Sequence, residues 1–196
     1  MFLICLFQRF ELRKIYTIGH GTKGLDELIE LLKAYHIRTL VDIRSYPVSK
    51  RHPHFNREVL EAKLPQIDIA YKWFKGLGGY RKNGLGANSP HIVLKSQGFR
   101  NYADHMMTKP FKENVNALLQ LAYSGNTCLM CAETLPFRCH RWMLSDYLVA
   151  NQMVVIHIIS IKKSEPHKLS KYARISQGNL FYDRVQPEQL ELLRRA

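Results

Sequence analysis

The sequence predicts an α/β protein made of a single three-layer domain, with a central, mostly parallel sheet and helices on both faces. Short β-branched and aromatic segments alternate along the chain with segments of helical apolar spacing. The first strand, helix and strand follow one another closely, which is typical of a parallel βαβ unit. A length of 196 residues with 46% hydrophobic residues suits one domain with a full core.

The first part of the chain predicts three strands and two helices. "KIYTIGHG" is a strand that ends in Gly-His-Gly, and "LDELIELLKAYHI" carries apolar residues at helical spacing. "RTLVDIRSYP" is a second strand, which Pro47 ends. Asn56 is expected to cap a helix over "NREVLEAKL", and "IDIAYKWF" is a third strand. A helix joins the first two strands, so we expect them to run parallel.

The second part begins with a glycine-rich loop, "KGLGGYRKNGLGANSP", which is too long to be a plain connection. Helices are predicted over "FRNYADHMM" and "PFKENVNALLQLAYS", followed by a strand at "GNTCLMCAE", a helix over "PFRCHRWMLSDYLVANQ" and a strand at "MVVIHII". From Ser160 the chain is basic and irregular, with a hairpin around "QGN" and a last short helix at "PEQLELLRRA". We therefore divide the whole sequence into an N-terminal extension (1–14), an α/β domain (15–160) and a basic tail (161–196) that packs on or extends the domain.

The net charge of +13 favours an anionic partner. We expect a phosphorylated or nucleotide-like small molecule, or nucleic acid. Residues 42–82 hold nine Lys and Arg against four Asp and Glu, with aromatic residues between them. Single-stranded nucleic acid is bound by such a combination, although a solvated basic face with core aromatics explains it slightly better.

Membrane insertion and secretion are not expected. No apolar run approaches the roughly 20 residues that a helical span needs. The opening "MFLICLF" is apolar but short and lacks the basic start of a signal peptide. Four cysteines do not suggest a disulfide scaffold, so we expect a cytoplasmic protein. The sequence predicts no cofactor and leaves the oligomeric state open.

Polar residues stand at the carboxyl ends of three predicted strands. In an open parallel sheet, ligands bind at this edge. The sequence therefore predicts one site there, formed by residues distant along the chain: His20 after strand one, Asp42, Arg44 and Ser45 after strand two, and Cys131 and Glu133 after strand four.

Asp42 and Arg44 are two residues apart and point to the same side of an extended strand. One interpretation has Asp42 orienting a basic group while Arg44 grips a phosphate or carboxylate. The other is a structural ion pair at the strand end, since a carboxylate next to the core needs a partner.

Five segments in order resemble the DUF488 family, whose function is unknown: "YTIGHGTKGLDELIELL", "TLVDIRSYPVSKRHPHFN", "LGGYR", "FRNYADHM" and "LMCAETLPFRCHRWMLSDYL". The resemblance runs from about Ile15 to His157 and implies a compact α/β domain with a shared polar site, but no reaction. It implies a set of site residues: His20, Asp42, Arg44, Ser45, Pro47, Phe55, Gly78, Gly79, Tyr102, Cys131, Glu133, Cys139, His140 and Arg141.

The segment "CLMCAETLPFRCHR" admits several kinds of site. A zinc site would use Cys128, Cys131, Cys139 and His140, but residues three apart on a strand face opposite sides. Cysteine phosphatases place their nucleophile at a strand end. They have five residues between cysteine and arginine, whereas six separate Cys131 from Arg138 here. A redox pair of Cys131 and Cys139, or simple packing of Cys139 on a helix, also remains open.

We favour an anion-binding enzyme without a metal, acting on a phosphorylated or nucleotide-like substrate. The alternatives are a non-catalytic nucleic-acid-binding module and a cysteine-based phosphatase or redox enzyme. The candidate catalytic residues are Cys131, Glu133, His140 and His20. The candidate binding residues are Arg44, Asp42, Ser45, Arg138, Arg141, Gly78, Gly79 and Tyr102.

Overall fold

A computed structural model describes residues 13–184 as a six-stranded sheet covered by helices. The spatial order of the strands is β3, β2, β4, β1, β5, β6, and all neighbours are parallel except the pair β5 and β6. This confirms the predicted α/β class. The strands span Lys14–Gly19 (β1), Thr39–Asp42 (β2), Ala70–Trp73 (β3), Thr127–Cys131 (β4), Val154–Ser160 (β5) and Lys163–Pro166 (β6).

Helices cover both faces of this sheet, as predicted. The leucines of α1 and Leu60 of α2 join one hydrophobic core, whereas α3, α4 and α5 bury their apolar residues in a second core on the opposite face. The helices span Leu25–Ala34 (α1), Arg57–Lys63 (α2), Gln97–Met106 (α3), Lys109–Ser124 (α4) and Arg141–Ala150 (α5). None of the described helices is long and apolar enough to span a bilayer.

Strand β4 lies between β1 and β2 and contributes to both cores. Cys128 and Met130 pack on the side of α1 and α2, whereas Leu129 and Cys131 pack on the side of α3 to α5. Alternation along the strand thus separates Cys128 from Cys131, as strand geometry requires. The carboxyl ends of β1, β4 and β2 are neighbours at one edge.

The fifth helix begins later than predicted. A 3-10 turn covers Pro136–Arg138, Cys139 is extended with φ −137° and ψ 152°, and α5 begins only at Arg141. Pro136 fits the first turn of a helix, which is why the sequence predicts one there. The extended Cys139 interrupts it.

Asn56 stands at the N-terminus of α2 but makes no side-chain cap. Its side-chain oxygen instead accepts a hydrogen bond from the Ser49 amide at 2.6 Å. The residue expected to cap the helix therefore fixes the preceding basic loop.

The chain after Ser160 is more regular than predicted. β6 pairs with β5, and β7 (Ala173–Ser176) with β8 (Asn179–Tyr182) forms the hairpin expected around "QGN". The β8 residues Leu180 and Tyr182 enter the core beneath α3 to α5. The predicted last helix and most of the N-terminal extension lie outside the described residues.

A buried polar chain ties this segment to the sheet. The His157 ring contacts the Thr17 hydroxyl at 2.7 Å and the His167 ring at 2.9 Å. His167 contacts the Asp146 carboxylate at 2.8 Å, and the Tyr182 hydroxyl donates to the same carboxylate at 3.0 Å. These hydrogen-bonded side chains thereby connect β1, β5 and α5 with the C-terminal hairpin.

Candidate functional site

A pocket of about 480 Å³ opens at the carboxyl ends of β2 and β4. We call it the rim pocket. The segment after β2, the glycine-rich loop, the start of α3 and the segment between β4 and α5 surround it. Its lining residues are Arg44, Ser45, Tyr46, Gly79, Tyr80, Ser96, Gly98, Phe99, Cys131, Ala132, Glu133, Arg138, Cys139 and His140.

Two thiols lie side by side in this pocket. The Sγ atoms of Cys131 and Cys139 are 2.9 Å apart, and only 1% and 7% of these residues are exposed. A hydrogen bond from the Cys139 thiol lowers the pKa of Cys131, and the positive charge of Arg141 lowers it further against the effect of burial. The same hydrogen bond, together with burial, raises the pKa of Cys139. Cys131 is therefore the thiol that ionises first.

His140 stands next to this pair as a neutral ring. Its Nε2 atom is 3.0 Å from the Ile43 carbonyl, so Nε2 carries the proton and donates it. Nδ1 is then an acceptor, 3.4 Å from the Cys139 Sγ atom. Burial lowers the pKa of His140 to about 4. At neutral pH the ring therefore holds no charge, and Nδ1 faces the Cys139 thiol as a hydrogen-bond acceptor.

Arg141 is buried and does not line the rim pocket. It is 1% exposed, and its guanidinium donates to the carbonyls of Glu133 and Thr134 at 3.1 and 3.0 Å. Its Nε atom has no hydrogen-bond partner among the described residues. The structure thus places Arg141 beneath the loop that follows Cys131, where it supports the loop and lends positive charge to the thiols.

Arg138 and Glu133 are the charged residues exposed at the pocket wall. Both lie in the segment between β4 and α5, on either side of Pro136. Within residues 13–184, the Arg138 guanidinium has no ion-pair partner. An anion entering the pocket would meet this cation first.

The glycine-rich loop approaches the pocket more closely than any side chain would allow. A Cβ atom on Gly79 would lie 2.3 Å from His140 Nδ1, and one on Gly78 would lie 2.5 Å from the Ser45 hydroxyl oxygen. That hydroxyl accepts a hydrogen bond from the Tyr80 amide at 2.8 Å. Ser45 and the two glycines therefore allow this loop to pack closely against His140.

Tyr102 lies behind the pocket wall rather than in it. It is fully buried, its hydroxyl donates to the Leu77 carbonyl at 3.1 Å, and its ring meets His140 edge-on at 5.0 Å between centroids. Burial raises the pKa of Tyr102 well above its usual value. Tyr102 fixes the position of His140 and of the glycine-rich loop.

Asp42 and Arg44 form an ion pair at the end of β2. The Arg44 guanidinium donates to both carboxylate oxygens, with 2.5 Å for the shortest contact, and to the Phe55 carbonyl at 2.7 Å. The Tyr71 hydroxyl donates to the same carboxylate at 2.7 Å. Asp42 is completely buried and Arg44 is 7% exposed. The structural ion pair is thus present, with further hydrogen bonds around it.

His20 joins this ion pair and not the thiols. Its Nδ1 atom donates to the Gly21 carbonyl at 3.0 Å, which leaves Nε2 as an acceptor 3.5 Å from Arg44 Nη1. The ring stacks on Phe55 at 4.2 Å between centroids. Burial and the charge of Arg44 lower the pKa of His20 to about 4. His20, Asp42, Arg44, Phe55 and Tyr71 are called the ion-pair cluster below.

Two tyrosines at the pocket were not among the predicted site residues. Tyr46 and Tyr80 line the pocket, are 67% and 63% exposed, and lie 5.8 Å apart between ring centroids. A signal for them exists in the sequence, since each directly follows a predicted site residue, Ser45 or Gly79. Large aromatic rings left in solvent at a pocket are typical of ligand contacts.

Within residues 13–184, no group of three or more His, Cys, Asp or Glu side chains is arranged to hold a metal ion. Cys128 packs in the core on the other face of the sheet from Cys131 and Cys139.

A comparison with protein families matches residues 24–148 to a family described as "Domain of unknown function DUF488". Comparisons with curated proteins and with solved structures found no significant match. The matched segment holds β2, β3, β4 and most of α5, and every residue that lines the rim pocket.

Proposed function

The chain belongs to the DUF488 family, and we propose that it is an enzyme that binds a phosphorylated or nucleotide-like substrate in the rim pocket and attacks it with Cys131. One observation carries the proposal: a thiol of lowered pKa stands in a pocket whose wall presents Arg138 and His140. Reactive cysteines are found in such partly enclosed, electropositive surroundings.

Anion binding rests on Arg138. The guanidinium of Arg44 is already engaged by Asp42 and the Phe55 carbonyl, and that of Arg141 by the loop carbonyls. Arg138 is exposed at the pocket wall, and its planar fork matches the oxygens of a phosphate. The net charge of +13 draws anions toward the whole molecule.

The thiolate of Cys131 is the proposed nucleophile. Cys139 stabilises it by a hydrogen bond, and the buried charge of Arg141 favours the ionised form. Glu133 is exposed at the pocket wall and is the candidate to exchange a proton with the leaving group. His140 stays neutral and packs beside Cys139, with 3.4 Å between its Nδ1 atom and the Cys139 Sγ atom.

A nucleotide-like substrate is favoured by Tyr46 and Tyr80. Their rings line the pocket and are more than half exposed, so a planar base can stack on either ring while the phosphate reaches Arg138. A small sugar phosphate would leave both rings unused. We therefore expect nucleoside phosphates to bind more tightly than sugar phosphates or inorganic phosphate.

The test is a thermal-shift titration under reducing conditions with inorganic phosphate, sugar phosphates and nucleoside monophosphates. We expect nucleoside monophosphates to raise the melting temperature of the wild type and not that of Arg138→Gln. Lys33→Gln removes one positive charge from exposed Lys33 of α1 and is the control. It should respond as the wild type does.

Equal responses of Arg138→Gln and the wild type would reject Arg138 as the anion contact. No response to any of the three ligand classes would reject the proposed substrate class.

A second candidate function is supported by the same tyrosines. Residues 42–82 carry a net charge of +5, from nine Lys and Arg against four Asp and Glu, and include both tyrosine rings. This combination suits a module that binds single-stranded nucleic acid without catalysis. A filter-binding titration against salt separates the two functions, because each phosphate contact adds about 0.7 to the log–log slope for a single strand. Steep oligonucleotide binding without a mononucleotide response would favour the module.

A further inference from the structure

We propose that Cys131 and Cys139 are a redox-active pair: a hydroperoxide oxidises Cys131, Cys139 then closes a disulfide with it, and the rim pocket stays inactive until a dithiol reduces the bond. The inference rests on the proposed function only where it says that oxidation removes the nucleophile. Formation of the disulfide itself requires no substrate.

The geometry of the two thiols suits this reaction. The Sγ atoms are 2.9 Å apart, and a disulfide bond is about 2.05 Å long, so closure needs only a small approach. Cys139 is extended and lies outside the helix, between the 3-10 turn Pro136–Arg138 and α5. Both thiols line the rim pocket, which gives a small oxidant a route to residues that are otherwise buried.

The surroundings give the two thiols different roles. Cys131 accepts the hydrogen bond from Cys139 and lies within the field of Arg141, so it is the thiolate that meets the oxidant. Cys139 keeps its proton, which it donates to Cys131, and its Sγ atom lies 3.4 Å from His140 Nδ1. Cys139 is therefore the resolving thiol.

The chemistry balances in two steps. The Cys131 thiolate attacks one peroxide oxygen, the O–O bond breaks, and the products are a sulfenic acid on Cys131 and an alkoxide. The alkoxide takes the proton that Cys131 released on ionising. The Cys139 sulfur then attacks the Cys131 sulfur, the S–O bond breaks, and the Cys139 proton passes to the leaving hydroxide, which departs as water. The two thiols lose two electrons, which the peroxide gains.

The disulfide would change the pocket in two ways. Its formation consumes the thiolate of Cys131, and it ties together the two ends of the segment 132–138, which carries Glu133 and Arg138. Oxidation would thus act on both the nucleophile and the anion-binding wall.

Peptide mapping tests this directly, because trypsin cuts after Arg138 and separates the two thiols. Residues 113–138 hold Cys128 and Cys131, whereas residues 139–141 hold Cys139. The full chain is treated with hydrogen peroxide, alkylated, digested without reductant and analysed by mass spectrometry. We expect the two peptides to remain joined, and to separate when a dithiol is added before alkylation.

Cys128 shares a peptide with Cys131 and is the matched control. It is fully buried in the core on the other side of the sheet. Cys128→Ala should still give the joined peptides, whereas Cys131→Ala should not. In Cys139→Ala we expect oxygen addition at Cys131 instead of the disulfide, since the resolving thiol is missing.

Peptides that separate after peroxide treatment, or a linkage that needs Cys128, would overturn the inference. The nucleoside monophosphate titration of reduced wild type is independent of this result. Loss of the thermal shift on oxidation, with recovery on reduction, is expected. A full shift in the disulfide form would overturn the claim that oxidation changes the anion-binding wall. A missing shift in the reduced form would instead contradict the proposed function.

Discussion

The ion-pair cluster and the rim pocket lie at the same edge of the sheet but have opposite character. In the cluster, Asp42 receives hydrogen bonds from Arg44 and Tyr71, and Arg44 also reaches the Phe55 carbonyl. In the pocket, the charged side chains of Arg138 and Glu133 are exposed. Polar residues at strand ends are thus of two kinds: those that satisfy one another and those left for a ligand.

This difference separates stability from binding. A buried ion pair costs desolvation and is kept only when its hydrogen bonds are complete, so removing one partner is expensive. Removing an exposed cation costs little stability, and its loss instead lowers the affinity for an anion. Substitutions in the two regions should therefore change different measurements.

The largest expected effect is that of Asp42→Asn, which leaves Arg44 buried without its counter-charge. We expect a loss of about 3–5 kcal/mol in the free energy of unfolding, measured by urea denaturation. Glu61→Gln is the control, because Glu61 pairs with Arg57 at 3.2 Å on the exposed surface of α2. It should cost less than about 1 kcal/mol. Similar losses for the two variants would contradict the distinction between the regions.

Arg141 is buried like the ion-pair cluster, but it supports the loop that forms part of the rim pocket, and Arg141→Lys tests that support. Lysine keeps the charge but cannot make both planar hydrogen bonds to the Glu133 and Thr134 carbonyls. We expect a loss of about 1.5–3 kcal/mol in the free energy of unfolding. Arg138→Lys is the matched control on the exposed side and should change it by less than about 0.5 kcal/mol. A stable Arg141→Lys variant would show that the loop does not need this support.

The smallest effect concerns two histidines, one from each region. The pKa values of His20 and His140 are both lowered to about 4, so the unfolded chain binds protons that the folded chain does not. Stability should therefore fall as the pH drops from 7 to 6, by less than about 1 kcal/mol per histidine. Urea denaturation across this range measures the fall. Stability that is constant or rises on acidification would contradict the neutral rings.

An NMR titration of the histidine rings then separates the two regions. A nucleoside monophosphate in the rim pocket should raise the pKa of His140, because a nearby anion favours the charged imidazolium. His20 contacts the paired Arg44 and should change less. His36 is exposed, follows the C-terminal end of α1 and serves as the reference signal. Equal changes at His20 and His140 would place the anion elsewhere.

The sheet and the position of its polar edge could be predicted from the sequence. Parallel strands end at one edge, so apolar strands that finish in His20, Asp42 or Cys131 suffice to place those residues there. The division between cluster and pocket could not be predicted in this way. It depends on hydrogen-bond partners such as the Tyr71 hydroxyl and the Phe55 carbonyl, which lie far along the chain.

Local errors also have physical reasons. The start of α5 was misplaced because Pro136 suits a helical first turn, whereas contact with Cys131 accompanies an extended Cys139. β6 was missed because "KSEP" is entirely exposed and lacks apolar alternation, so only backbone pairing with β5 defines it. The binding role predicted for Tyr102 stays a prediction, and the structure places its side chain on the buried face of α3 together with Ala103 and Met106.

The order of the strands bears on where this domain can be cut. The family match covers residues 24–148, which excludes β1 and β5, yet β1 is hydrogen-bonded between β4 and β5 near the middle of the sheet. A fragment limited to the match would turn β4 into an open edge, with its backbone groups free to pair with other chains. The segment that sequence similarity recognises is therefore narrower than the unit that folds, and deletion boundaries drawn from similarity would remove an inner strand of the sheet.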